Sequence, residues 1–219
     1  MNFFYPVIAA FALCGIIFCS LSAVVQLDLK KLIAYSSVAH MNLVVLGVFS
    51  LNLQGIQGSL FLMIAHGFTS SGLFFLIGFL YDRHHTRVIT YYSGLAQAAP
   101  VLTLMLFLFF LANTSFPLTA NFVGEILVLA GIIQKSFFLA FFAATGAVLS
   151  ALYSFFAFGR LAFLGVSPYM ESYADLSRAE FDLVWPFFAL TLVLGVIPGL
   201  VLDVTHYDVA YLLASAGSA

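Results

Sequence analysis

The most constraining feature of this sequence is where its charges are missing. No Asp, Glu, Lys or Arg precedes Asp28, none falls from Leu32 to Tyr81 or from Val88 to Gly124, and none from Ser136 to Gly159 or from Leu183 to Leu202. A helix needs about 20 predominantly apolar residues to cross a hydrocarbon core of about 30 Å, and each of these stretches holds at least one such run. The composition agrees: 63% of residues are apolar and 7% are charged, with a mean hydropathy of +1.13. That balance excludes an ordinary soluble domain. The runs are apolar on every side and lack the alternation of a membrane barrel. A net charge of -2 offers no basic surface for nucleic acid.

The expected fold class is therefore all-α, a polytopic transmembrane helix bundle of about six spans in one membrane domain, residues 1–219. Spans are expected near 4–25, 32–51, 58–80, 99–133, 137–159 and 184–204. Pro6, Pro100 and Pro186 fall near the starts of runs, where a missing N–H is harmless. Tyr91, Tyr92 and Trp185 sit near expected boundaries, as interfacial aromatics do. The first run lacks a basic leader and a small-residue cleavage site, so it reads as a retained helix. With six passes, Lys30, Lys31, Arg83, Arg87, Arg160 and Arg178 all fall on one side, which the positive-inside rule makes the matrix or cytoplasm. Lys135 and both termini fall on the other. Cys14 and Cys19 lie in the first span and read as packing residues. The 26 phenylalanines suit T-rich codons, as in organelle genomes.

Polar residues inside the spans carry the functional signal, because an ionisable group at depth costs several kcal/mol unless paired or hydrated, on the order of 2.5–3.5 kcal/mol even on the most lenient scale. Three stand out: His40, His66 and Glu125. His40 lies roughly 18 Å along its helix from Asp28, near the midplane. Ser36 and Ser37 precede it by one turn, and Thr69 and Ser70 follow His66 by one turn. A histidine with hydroxyl neighbours can be a plain interhelical hydrogen-bond partner. Two of them joined by a carboxylate read as a buried polar axis able to pass protons, since imidazole titrates near physiological pH and a buried carboxylate can be tuned toward it.

The segment 99–133 is too long for one perpendicular crossing, at roughly 52 Å if fully helical. Pro117 removes an interior N–H and clashes with the preceding turn, while Asn113, Thr114, Ser115, Thr119 and Asn121 offer hydrogen bonds to the freed backbone groups. A discontinuous helix broken near Pro117 is expected, of the kind that marks ion sites in transporters. Asn121 and Glu125 are four residues apart and share a helix face.

The motifs DLKKLIAYSSVAHMN at 28–42, GSLFLMIAHGFTSSGLFFLIGFLYDRHHTR at 58–87 and ANTSFPLTANFVGEILVL at 112–129 resemble subunit 4 of the mitochondrial NADH dehydrogenase. That family comprises antiporter-like, proton-pumping subunits of the membrane arm of respiratory complex I, related to bacterial multisubunit cation/proton antiporters. SRAEFDLVWPFF and VIPGLVLDVTH resemble its last helix, so the likeness covers nearly the whole chain. It implies that His40 and His66 belong to a central hydrophilic axis and that Glu125 is the charged residue of the broken helix, near a half-channel. Glutamate at this position, with the AHM of the second helix, fits subunit 4, whereas related subunits 2 and 5 usually carry lysine. It implies a mitochondrial inner-membrane location, ubiquinone as the complex's electron acceptor, and no cofactor in this chain, with FMN and iron–sulfur clusters in other subunits.

Family members have about fourteen helices in two inverted repeats, and this chain resembles the second repeat plus the last helix. The expected partners are other membrane-arm subunits of complex I, membrane lipids, and a separate chain supplying the N-terminal half as the product of a split gene; a partial stretch of one longer chain is the alternative. Two rival functions remain at this level. One is a subunit of a stand-alone cation/proton antiporter, and the other is a b-type haem anchor with His40 and His66 as ligands. The cluster Asp82, Arg83, His84, His85 and Arg87 reads as a solvated, orientation-setting turn and not as a zinc site. The loop 165–182, with Glu171, Asp175, Arg178 and Glu180, reads as a surface connection to neighbouring subunits, with no chemistry assigned.

Overall fold

The computed structural model describes residues 3–163, 165 and 174–217. Among the described residues the chain forms α1 Tyr5–Val25, α2 Leu29–Phe49, α3 Leu53–His84, a 3-10 turn Ile89–Tyr92, a single turn α4 Leu95–Ala98, α5 Pro100–Asn113, α6 Ala120–Lys135, α7 Phe137–Ala162, α8 Arg178–Val196 and α9 Gly199–Gly217. Five of these, α1, α2, α3, α7 and α8, are long and apolar enough to span a bilayer, and α5 is a shorter apolar helix. Together they make the expected polytopic helical bundle.

Local chemistry sets the helix ends. Pro6 and Pro100 stand in the first turns of α1 and α5, as expected. Asp28 caps α2, its carboxylate accepting from the backbone N–H of Lys30 at 2.9 Å and Lys31 at 3.3 Å. A Ser177–Glu180 capping box starts α8 at Arg178, six residues before the expected span. Pro186 therefore lies inside the helix and not at its start. The expected span 184–204 is also divided: Pro198 has no N–H and disfavours a helical Ile197, so the chain turns there and α9 begins at Gly199.

The α3 helix is the hub, packed against α2, α5, α6, α8 and α9, while α1 and α7 close the bundle on the far side of α2 and α6. At one end an apolar cluster gathers Leu29, Leu76, Leu80, Tyr92, Leu106, Phe109 and Val184. At the other, a second cluster holds Tyr5, Ala12, Leu43, Leu46, Leu62, Val128 and Ile132. Along α2, α3 and α6 the residues His40, His66 and Glu125 fall between or beside these two clusters, so the polar layer is insulated above and below.

The charged ends tie the helices together. Arg83 pairs with Glu180 at 2.7 Å and also donates to the Asp175 carbonyl at 3.2 Å. Asp175 reaches across to cap α5, accepting from the N–H groups of Val101 and Leu102 at 3.0 Å each. These residues, expected to contact neighbouring subunits, thus serve the chain's own fold; Glu171 lies outside the described residues. At the opposite end Lys135 donates to the last-turn Phe49 carbonyl of α2 at 3.2 Å and stands 3.8 Å over the Tyr5 ring, a cation where the helix dipole favours one.

Candidate functional site

The break between α5 and α6 runs from Thr114 to Thr119 around Pro117, and its backbone bends through left-handed conformations at Ser115 (φ 57°) and Leu118 (φ 78°). Some of the expected side chains satisfy it. Thr114 Oγ1 donates to the Leu111 carbonyl at 2.8 Å and Thr119 Oγ1 to the Phe116 carbonyl at 2.7 Å. Asn113 and Asn121 point into the bundle, and Ser115 Oγ is buried without a partner among the described residues. The break is held from outside by Gly195 of α8, where a Cβ would lie 2.1 Å from the Leu118 carbonyl oxygen. Only a residue without a side chain permits that approach.

Beyond the break, α6 lies directly on α3. A Cβ at Gly124 would stand 2.9 Å from the Leu62 Cα, so the two backbones touch. One residue on, Glu125 is delivered to the inner face, and one turn beyond Leu62 is His66. Glu125 Oε1 lies 3.0 Å from His40 Nδ1, with both side chains buried. The rings of His40 and His66 are 5.1 Å apart at 39°. The three ionisable residues picked from sequence therefore form one cluster from three helices.

The supporting residues divide. Thr69 is fully buried; it donates to the His66 carbonyl at 3.2 Å and receives Asn121 Nδ2 at 3.3 Å. Ser36 is buried, bonded to the Ile33 carbonyl and facing the Tyr153 hydroxyl. Ser37 lines an outer groove with Val38, Met41, Asn42 and Val45, but its Oγ is buried without a hydrogen-bond partner among the described residues, and Ser70 is half-buried and takes no part in these bonds among the described residues.

Sequence reasoning missed Tyr153 of α7. Its hydroxyl lies 3.4 Å from His40 Nε2 and 3.5 Å from Asn113 Nδ2, and the residue is 1% exposed. His40 is thus held at both ring nitrogens, by a carboxylate on one and a phenol on the other. Beside it a cavity of about 20 Å³ is lined by Ser20, His40, Glu125, Ser150 and Tyr153 among others, enough for about one water molecule. Ser20 and Ser154 present buried hydroxyls without partners among the described residues. The spacing of Ser150, Tyr153 and Ser154, at i, i+3 and i+4, marks one polar face of α7 and was available in the sequence.

Both nitrogens of His66 are buried and unpartnered among the described residues. Such a group ordinarily finds water or a neighbouring side chain. The contact of the two imidazole rings and the small adjoining cavity leave no room for a porphyrin between them, which removes the haem-anchor reading.

Residues 1–150 match the family described as NADH:quinone oxidoreductase/Mrp antiporter, TM. The NADH-ubiquinone oxidoreductase chain 4 of Marchantia polymorpha is 43% identical over 212 residues, covering 96% of this chain and 43% of the relative. The chain therefore spans less than half the length of the curated relatives it matches. A chain in the structure of respiratory complex I from Thermus thermophilus with bound NADH superposes with a TM-score of 0.89 at 32% identity, over 97% of this chain and 45% of that one. The Mrp complex of Dietzia sp. gives 0.84 at 18% identity, over 96% of this chain and 47% of its counterpart, a likeness of fold.

Proposed function

Because this chain belongs to the NADH:quinone oxidoreductase/Mrp antiporter transmembrane family, we propose that it is the C-terminal half of a subunit-4-type, proton-translocating subunit of NADH:ubiquinone oxidoreductase in the mitochondrial inner membrane. The observation that carries this reading is the buried contact between His40 Nδ1 and Glu125 Oε1, 3.0 Å apart, with Glu125 in the second turn of α6 just beyond the helix break.

That contact sets side by side two groups that can each carry a proton. With the proton on His40 Nδ1, the Tyr153 hydroxyl can donate to Nε2 while accepting from Asn113. A second proton on Nε2 requires the phenol to turn and accept. Arrival of a proton at His40 is therefore coupled to the orientation of Tyr153, and departure from Glu125 is open toward the water-sized cavity edged by Ser20 and Ser150. His66 touches the His40 ring face without a hydrogen bond to it, so a proton passing between them needs a bridging group, water or a side chain from a facing helix.

The facing helices belong to the other half of the subunit, on a separate polypeptide or on the same one, and the neighbours are other membrane-arm subunits. FMN and iron–sulfur clusters reside in other subunits, and the redox energy released there changes the proton preference of His40, His66 and Glu125. Lys30, Lys31, Arg83, Arg87, Arg160 and Arg178 face the matrix, and protons leave toward the side holding the termini. The stand-alone antiporter uses the same fold, but the 43% identity to a complex I chain against 18% to the Mrp complex favours the respiratory assignment.

The decisive variant is Glu125→Gln, which keeps the volume and one acceptor for His40 while removing the titratable oxygen. The assembled complex carrying it is expected to oxidise NADH with a lowered proton-to-electron ratio in sealed vesicles. An unchanged ratio with normal assembly refutes the role.

A further inference from the structure

Away from the polar layer, a groove of about 440 Å³ opens beside the start of α2 and the end of α3, lined by Lys30, Phe74, Ile77, Gly78, Tyr81 and Arg87. Its rim is cationic. A short antiparallel bridge, with Leu29 N–H donating to the Arg87 carbonyl at 3.0 Å and Ile89 N–H to the Leu27 carbonyl at 2.8 Å, pins Arg87 beside Lys30. The Arg87 guanidinium lies 4.5 Å from the centre of the Tyr81 ring, which fixes its direction. Of the nearby carboxylates that are placed, Asp28 caps α2 and Glu180 pairs with Arg83, while Asp82 is exposed to the surroundings. Among the described residues no carboxylate forms an ion pair with Lys30 or Arg87. Lys30 also stands in the first turn of α2, where the helix dipole disfavours a cation and adds to the field an anion would meet.

Below the rim the groove is apolar. Phe74, Ile77, Gly78 and Tyr81 share one face of α3, and the seven-residue separation of Tyr81 from Phe74 carries the floor roughly 10 Å along the helix toward the bilayer interior. At Gly78 a Cβ would meet nothing within 4 Å, so the floor is open there. Two unpaired cations at the end of a spanning helix, over an apolar slot that runs down into the hydrocarbon, suit a ligand with a phosphate at one end and an acyl chain at the other. We propose that the Lys30–Arg87 groove is a binding site for an anionic phospholipid, the cations holding the phosphate and the Phe74–Gly78 floor one chain. A free phosphate would fill only the rim, and a protein helix would fill the floor and leave the cations unpaired.

The test uses the assembled membrane complex, stripped of loose lipid in detergent and exposed to phosphatidylcholine vesicles containing phosphatidylglycerol, with retained lipid counted by mass spectrometry. Lys30→Gln combined with Arg87→Gln is expected to lose a single phosphatidylglycerol per complex. Lys31→Gln removes the same kind of charge from α2 outside the groove and is expected to lose none. Gly78→Leu fills the floor, keeps both cations, and is expected to lose the same lipid. An unchanged count in both the double variant and Gly78→Leu overturns the site. Failure of Gly78→Leu to assemble overturns it in favour of a protein helix in the groove. Release of the lipid by inorganic phosphate alone overturns it in favour of a phosphate site.

Discussion

Replacing Gly195 with alanine probes whether the broken helix is held in place from α8. The new Cβ would lie 2.1 Å from the Leu118 carbonyl oxygen and 2.6 Å from the Thr119 carbonyl carbon, both backbone atoms, against a practical floor of 3.0 Å. The α8 backbone and the Leu118–Thr119 segment must separate by about 0.9 Å. Overpacking of this kind costs about 1–3 kcal/mol, and alanine returns about 0.5–1 kcal/mol over glycine within a helix. The difference spans about 0–2.5 kcal/mol and centres on about 1 kcal/mol of net loss, roughly a 5-fold shift in the equilibrium. The displaced segment leads directly into α6, so Glu125 moves relative to His40 as well. The assay is a heat challenge of the assembled complex followed by native gel electrophoresis, with proton pumping measured in vesicles. Gly159→Ala serves as the control, because a Cβ there meets nothing within 4 Å. Lower thermal tolerance and a lower proton-to-electron ratio are expected for Gly195→Ala alone. If it matches Gly159→Ala in both, the clamp plays no part in positioning the site.

Two further substitutions test separate contacts. Tyr153→Phe leaves His40 Nε2 and Asn113 Nδ2 facing an apolar ring edge; at 3.4 and 3.5 Å both contacts are long, so the cost is expected at the low end of about 1–3 kcal/mol, with slower pumping and intact assembly. Tyr92, outside the spans, has its hydroxyl 2.5 Å from the Thr86 carbonyl oxygen, and burial pushes its pKa up from the ordinary 10.0 to about 12. Stability tied to the protonated phenol is fully present below pH 10.0 and is lost as pH rises toward 12, because the unfolded chain ionises first. Thermal midpoints taken across that window should fall more steeply for the parent than for Tyr92→Phe, which should instead lose about 1 kcal/mol at neutral pH.

The sequence was most informative where one residue type forces one outcome. Charge-free runs required spanning helices, Pro117 in an overlong segment required a break, and the three ionisable groups at depth had to be near one another or near water. It was least informative at the last helix. There the apolar run 184–204 hid the turn at Pro198, because hydropathy does not register a missing N–H, and the SRAE capping box placed the start earlier than hydropathy did. The supporting residues were legible only by face. Thr69 and Asn121 do meet, across α3 and α6, whereas Ser37, one turn from His40, makes no hydrogen bond among the described residues.

What the sequence determined by itself was the solvent and the oddities: a membrane chain, a divided helix, and His40, His66 and Glu125 inside it. Helical periodicity assigns each of those residues to a face but is silent about which helix stands opposite. Only the tertiary structure decided that Glu125 pairs with His40 and that the tilted His66 ring lies beside the same imidazole. The same is true of Tyr153, which reaches in from α7 to hold the imidazole's other nitrogen. The physical reason lies in backbone approach: Gly124 against Leu62 and Gly195 against Leu118 set how closely α6 can come to α3 and α8. That distance, a property of helix pairs and not of any one helix, places the carboxylate 3.0 Å from its partner.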